Sequence, residues 1–183
     1  MKLLLLLANG FEEIEALGTL DLLRRGEVEV TTCTLNQTPL TLGAHNIAVE
    51  AELCLTELDS TQYDGVILPG GMGGSQALAA TQGVLELLKD YNEQGKTICA
   101  ICAAPALVLT AADIIKDRKV TCYPAPEFIE ALGDNYLSAK AHTEGNLITA
   151  AGPGCFTDFA KAIMDAVAPG TSEGVFKAAL IKD

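Results

Sequence analysis

Lys96-Thr97-Ile98-Cys99-Ala100-Ile101-Cys102-Ala103-Ala104-Pro105 decides how the rest of the chain is read. Thr97 to Ile101 is a short apolar run of the kind that fills a strand buried on both faces of a parallel sheet. Small residues and a proline follow at once, so the strand breaks abruptly and Cys102 falls on the turn. Pro105 suits a first helical turn, where no backbone N–H is needed, and a helix is predicted from there through Leu107, Val108, Leu109 and Thr110. The free N–H groups and the positive dipole end of that helix would face the Cys102 sulfur. Both favour thiolate over thiol, and the thiolate is the nucleophile. The pattern is a nucleophile elbow with Cys in place of Ser.

Working outward, Tyr63 to Leu68 reads as another central strand and runs into Pro69-Gly70-Gly71-Met72-Gly73-Gly74, where glycines let backbone amides approach a neighbour closely. Ser75 is read as the cap of the next helix, and Val84, Leu85, Leu87, Leu88 and Tyr91 mark a further helix ending at Gly95. Leu3 to Leu7 is an all-apolar strand that empties into Ala8-Asn9-Gly10. Between Glu12 and Arg25, Ile14, Leu17, Leu20, Leu22 and Leu23 recur at helical spacing. Acids lead, Arg24 and Arg25 close, and Gly26 stops the helix. Glu27 to Leu35 alternates as a strand, and Leu40 to Leu55 holds short β-like pieces that read as a small hairpin on the sheet edge.

Downstream, Lys119 to Cys122 is predicted as a strand, Tyr123 to Pro126 as a loop and Glu127 to Leu132 as a short helix. Lys140 to Thr149 reads as a hairpin turning at Glu144-Gly145-Asn146, and Ala150-Ala151 leads into Gly152-Pro153-Gly154. Helices follow from about Phe156 to Val167 and from about Ser172 to Leu180. Strand and helix alternate throughout, which argues an α/β sandwich with a mostly parallel sheet. In such sheets the ligand crevice lies outside the carboxyl ends of the strands. Asn9-Gly10, Gly70-Gly71, Cys102 and Gly152-Pro153-Gly154 would therefore gather at one edge.

Length and charge narrow the classes. The 183 residues, 49% of them hydrophobic, suit one domain spanning 1–183. A net charge of −12 argues against nonspecific attraction to nucleic acid or an anionic membrane. Five leucines from Leu3 to Leu7 are too few for a membrane span or a signal peptide, so a cytoplasmic protein is expected. The six cysteines, at 33, 54, 99, 102, 122 and 155, read as reduced thiols.

Cys102 is the sharpest candidate, set against the common fate of cysteine as a small buried hydrophobe. Cys99 makes a Cys-Ala-Ile-Cys spacing with it, but Cys99 lies inside the strand, where i and i+3 point to opposite faces, so a dithiol is disfavoured. Glu15, in the first turn of the helix after strand one, is the second candidate. Buried near a thiolate, its carboxyl would titrate high, stay protonated and shuttle a proton. Glu12 and Glu13 read as solvated acids favouring the helix N-terminus. Gly70 and Gly71 are predicted to offer the N–H groups of an oxyanion pocket facing Cys102. The glycine-rich stretch is no phosphate-binding Walker loop, and no Cys and His spacing fits a metal site. His45 and His142 read as surface or hydrogen-bonded residues.

Ala-Ile-Cys-Ala-Ala-Pro at 100 to 105, Leu-Pro-Gly-Gly at 68 to 71, Gly-Phe-Glu-Glu-Ile-Glu at 10 to 15 and Gly-Pro-Gly at 152 to 154 together resemble the ThiJ/PfpI superfamily, closest to its branch with the Parkinson disease protein deglycase. The resemblance runs in order over essentially the whole chain. It implies a flavodoxin-like three-layer sandwich, a homodimer, Cys102 as the reactive cysteine and Glu15 as its protonated partner. It also implies that Gly71 and Ala103 line the oxyanion or substrate pocket and that Arg25 anchors an anion. Two departures stand out: Tyr123 occupies a position where many members carry His, and His45 one where close relatives carry Arg. Peptidase members have Cys-His in sequence, which Cys102-Ala103 lacks.

The leading expectation is a thiol enzyme of the glyoxalase or deglycase kind, acting on small α-oxoaldehydes or their adducts through a Cys102 hemithioacetal, with no metal or organic cofactor. The alternative is a redox-responsive stress protein or chaperone in which Cys102 is oxidised to sulfinate.

Overall fold

The protein is described by a computed structural model over residues 1–181. Its strands are β1 (Lys2–Leu7), β2 (Glu29–Thr34), β3 (Leu40–Leu42), β4 (Ala48–Glu50), β5 (Leu53–Cys54), β6 (Gly65–Leu68), β7 (Thr97–Ile101), β8 (Ala141–Glu144) and β9 (Leu147–Ala150). The α-helices are α1 (Thr19–Arg25), α2 (Met72–Ala80), α3 (Gln82–Glu93), α4 (Pro126–Leu132), α5 (Phe156–Val167) and α6 (Ser172–Ala178). Wider π-helical turns at Ile14–Gly18 and Pro105–Leu109 precede or interrupt helices at two places. The main sheet has the order β5-β2-β1-β6-β7-β9-β8, parallel throughout except for the β8 edge.

The leucine run of β1 shows why the chain forms three layers. Successive side chains of a strand point to opposite faces, and all five leucines from Leu3 to Leu7 are 0% exposed. Leu4 and Leu6 join Val66, Leu68, Ile98 and Ala100 under α3, whose Val84, Leu87, Leu88 and Tyr91 face the sheet. Leu3, Leu5 and Leu7 join Ile67, Cys99 and Ile101 on the other face, under Leu22 and Leu23 of α1 and Phe159, Ile163 and Met164 of α5. Each such buried leucine contributes about 2 kcal/mol of apolar burial, so both faces of one strand are needed to hold the sandwich. Among the described residues no helix is long and apolar enough to cross a membrane.

Several local expectations are corrected. Lys119 to Cys122 forms no strand. β9 fills the position beside β7 and β8 closes that edge, leaving Val120 a single bridge to Tyr136 and sending the Thr121 N–H to the Thr149 hydroxyl at 3.0 Å. The β3–β4 hairpin is not on the sheet edge. It is a separate antiparallel pair docked on the loop after β1, with Gly10 N–H donating to Leu42 O at 2.7 Å and Ala44 N–H to Phe11 O at 2.8 Å. Ser75 does not cap α2: Gly71 does, and the Ser75 hydroxyl lies buried inside the helix without a partner.

Candidate active site

β1, β6 and β7 are neighbours in a parallel sheet, so the loops after them share one edge. β7 ends at Ile101, and Cys102 turns the chain with φ of +66°, a left-handed conformation that a side chain adopts at a cost of about 1 kcal/mol. Neighbours hold that geometry on both sides of the residue. Cys102 N–H donates to Ala150 O at 2.9 Å, and Tyr123 N–H donates to Cys102 O at 2.8 Å. Helical geometry resumes at Ala104, with Pro105 in its first turn. The sulfur is partly exposed, and the N–H groups of Gly71 and Ala103 point to it.

Glu15 comes from the π-helical turn after β1 and is 0% exposed. Its Oε2 accepts the Gly70 N–H at 2.8 Å. Oε1 is buried with no hydrogen-bond partner, and the carboxyl interacts with the Cys102 side chain. Gly70 permits this approach because a Cβ there would collide with both Glu15 Oε2 and the Cys102 Cβ. Gly71 has φ of +86°, and a Cβ there would run into Gly10 O. Neither position has room for a side chain.

Burial raises the Glu15 carboxyl to about 7, helped by the charge of Glu12 and opposed by its hydrogen bonds to Cys102 and Gly70 N–H. Burial, then the charge and hydrogen bond of Glu15, pushes the Cys102 thiol up to about 12 against the pull of the Gly71 and Ala103 amides. The thiolate expected from helix amides alone is thus corrected: the pair gives up its first proton near 7, and above that the carboxyl and the sulfur share the one that remains, with burial favouring the thiol.

Other candidates move. Gly70 does not offer its N–H to an oxyanion, because Glu15 takes it; Ala103 and Gly71 are the amides at the sulfur. Arg25 closes α1, which runs back from the site, so it lies at the opposite edge of the sheet with its Nε on Asp21 at 2.7 Å. It anchors nothing near Cys102. Glu12 and Glu13 are buried, not solvated. Glu12 Oε2 accepts the Glu15 N–H at 2.7 Å, while Glu13 accepts from the His45 N–H at 2.6 Å and pairs with its Nδ1 at 2.7 Å. The signal for Glu12 was its spacing: a side chain accepting from the amide three residues on is a capping arrangement. One ligand atom from each of Glu12, Glu13 and His45 lies within 4.8 Å of the others. Tyr123 is exposed, its ring edge against Gly152.

The family model described as DJ-1/PfpI matches residues 1–166. This chain belongs to the DJ-1/PfpI family. The structure of Drosophila melanogaster DJ-1beta superposes with a TM-score of 0.93 at 32% identity, covering 100% of both chains. Protein DJ-1 homolog B of Arabidopsis thaliana is 34% identical over 165 residues, 90% of this chain, and the chain spans only 37% of that protein's length. A protein named deglycase from Thermococcus kodakarensis is 27% identical over 155 residues, covering 84% of this chain and 92% of its own. The DJ-1/PfpI resemblance read from the sequence motifs is therefore established, and with it the three-layer α/β fold.

Proposed function

We propose that the protein is a cofactor-independent thiol enzyme of the glyoxalase or deglycase kind, with small α-oxoaldehydes or their adducts as substrates. The observation that carries this is the Glu15 carboxyl, fully buried, fixed at one oxygen by Gly70, unpartnered at the other and interacting with the Cys102 side chain. When the shared proton sits on Glu15 the sulfur is a thiolate. It adds to the aldehyde carbon, and the oxygen that becomes negative meets amides of the kind Gly71 and Ala103 present. Glu15 gives its proton to that oxygen and, now ionised, takes the proton from the former aldehyde carbon and delivers it to the adjacent carbonyl carbon. The hydroxyl proton passes from the first oxygen to the second, turning the hemithioacetal into an α-hydroxy thioester. Water cleaves the C–S bond, releasing the hydroxy acid and restoring the thiol. Electrons move only within the substrate, so no external oxidant enters.

The test is lactate formation from methylglyoxal by wild type and Cys102→Ser. Loss of about three orders of magnitude or more in the variant, with Tm unchanged, supports the reading. Equal rates, or no lactate from wild type, sink it.

A second reading rests on the same donors. Two amides and a protonated Glu15 around a partly exposed sulfur can also hold the oxygens of a sulfinate formed by two successive oxygen transfers from peroxide. Stoichiometric gain of two oxygens on Cys102 by mass spectrometry, with negligible turnover, would favour it. Exposed Ile14, Leu42 and Ile47, on the helix start and the hairpin docked beside it, support a homodimer; sedimentation as a monomer at micromolar concentration would refute that.

A further inference from the structure

Three hydrogen bonds form a closed ring beneath the reactive pair. Glu12 N–H donates to Gly70 O at 3.0 Å, Gly70 N–H donates to Glu15 Oε2 at 2.8 Å, and Glu15 N–H donates to Glu12 Oε2 at 2.7 Å. Glu12 is the only member that brings a second carboxylate, and it is 9% exposed. A buried carboxylate is costly unless it is hydrogen-bonded or paired, and the Glu15 N–H supplies Glu12 with one such bond. Building on the reading of Cys102 and Glu15 as the reactive pair, we propose that Glu12 is a positioning residue. It fixes the Glu15 backbone through the ring, and its negative charge beside Glu15 shifts the shared proton toward that carboxyl, enlarging the fraction of ionised sulfur.

The asymmetry of the placement supports this. The groups facing Glu15 are the Cys102 thiol from the turn after β7, the Gly70 N–H from the loop after β6, and Glu12 from its own loop. Glu13, next in sequence, is already paired with His45. Glu12 acts on Glu15 by charge, whereas the groups acting on Cys102 are Glu15 and the Gly71 and Ala103 amides. A negative charge on Glu15 is therefore opposed by Glu12, its hydrogen-bonded neighbour.

Glu12→Gln keeps an oxygen to accept the Glu15 N–H and removes the charge. The measurement is the rate of Cys102 alkylation by iodoacetamide against pH, read by mass spectrometry, in wild type, Glu12→Gln, Glu12→Asp and Glu15→Gln. Glu12→Gln is expected to follow the wild-type acid limb, since the sulfur itself is untouched. It should level off about half a unit lower in pH and at a rate up to about threefold lower, the factor half a unit represents. Glu12→Asp, which keeps the charge, is expected to restore the wild-type profile even if its Tm falls. A uniform loss of rate at every pH, or an unchanged profile in Glu12→Gln, overturns the proposal. Glu15→Gln separates the two claims: a wild-type profile indifferent to Glu15 removes the reactive pair itself, while dependence on Glu15 without dependence on Glu12 removes only the role of Glu12.

Discussion

Arg118 and Glu15 sit at opposite edges of one sheet, and the fold treats their polar atoms in opposite ways. Arg118 is half-buried where β7 and β9 begin. It donates to Asn146 Oδ1 at 2.6 Å, to Asn92 Oδ1 at 2.9 Å and to Ile115 O at 3.2 Å, with Ile114 O as a further acceptor. Asn146 in turn donates to Lys96 O at 2.8 Å. Each of the three guanidinium nitrogens donates to an oxygen, which is what a structural knot requires. Glu15 has one oxygen matched and one left over. A buried polar atom without a partner costs about 1–3 kcal/mol, and the protein tolerates this cost where the sulfur needs a proton partner.

Substitutions can break this contrast. The largest effect is expected from Glu15→Gln, which should lower methylglyoxal turnover by about 100-fold or more, as loss of a proton-transfer group does. The same variant should change stability with the opposite sign. The folded-state carboxyl titrates near 7, above its ordinary 4.5, so the folded protein holds more protons in that window. The stabilisation is full below about 4.5 and is lost as pH rises through about 7. Wild type is therefore expected to lose stability between those values in urea melts, and Glu15→Gln to show a flatter curve and a higher midpoint at pH 8. A variant that is less stable than wild type at pH 8 would overturn the account.

Arg118→Ala should do the reverse. Stripping several matched bonds is expected to lower stability by about 2 kcal/mol while turnover stays within about twofold of wild type. A large loss of turnover at unchanged Tm would erase the distinction between the two edges.

The smallest effect concerns the Glu13–His45 pair, intermediate between the two cases because the imidazole is exposed. Its hydrogen bond to Glu13, then that residue's charge, raises His45 above 6.5. The stabilisation is present below 6.5 and lost as pH rises through the raised value. Hydrogen exchange at Ala44, whose N–H joins the hairpin to Phe11 O, should quicken over that rise by no more than about fivefold, and His45→Gln should remove the pH dependence. An identical profile in the variant would mean the pair does not hold the hairpin.

How much of this was legible in the sequence depended on whether local pattern or distant pairing set the outcome. The leucine run of β1, the strand breaking at Cys102, and α5 from Phe156 to Val167 were legible because burial periodicity and Pro or Gly punctuation act within a few residues. Lys119 to Cys122 misled because a β-like tetrapeptide needs a free strand edge, and β8 and β9 had taken it. Arg25 misled because its sequence neighbourhood says nothing of which end of a helix faces the site. Glu15 was legible from its place at the start of the helix, whereas its partners were not. Gly70 stands 55 residues away, and only the folded sheet shows that its N–H belongs to the carboxyl and not to an oxyanion.

The bond from Cys102 N–H to Ala150 O has a consequence for synthesis. The ribosome makes Cys102 well before β9, and α5, which covers one face of the sheet, later still. Until β9 arrives the turn lacks the carbonyl that holds it, and the thiol is an ordinary cysteine on an unfinished chain. The nascent protein thus acquires the geometry that sets Cys102 beside Glu15 only once β9 and the strands that bury Glu15 are all present.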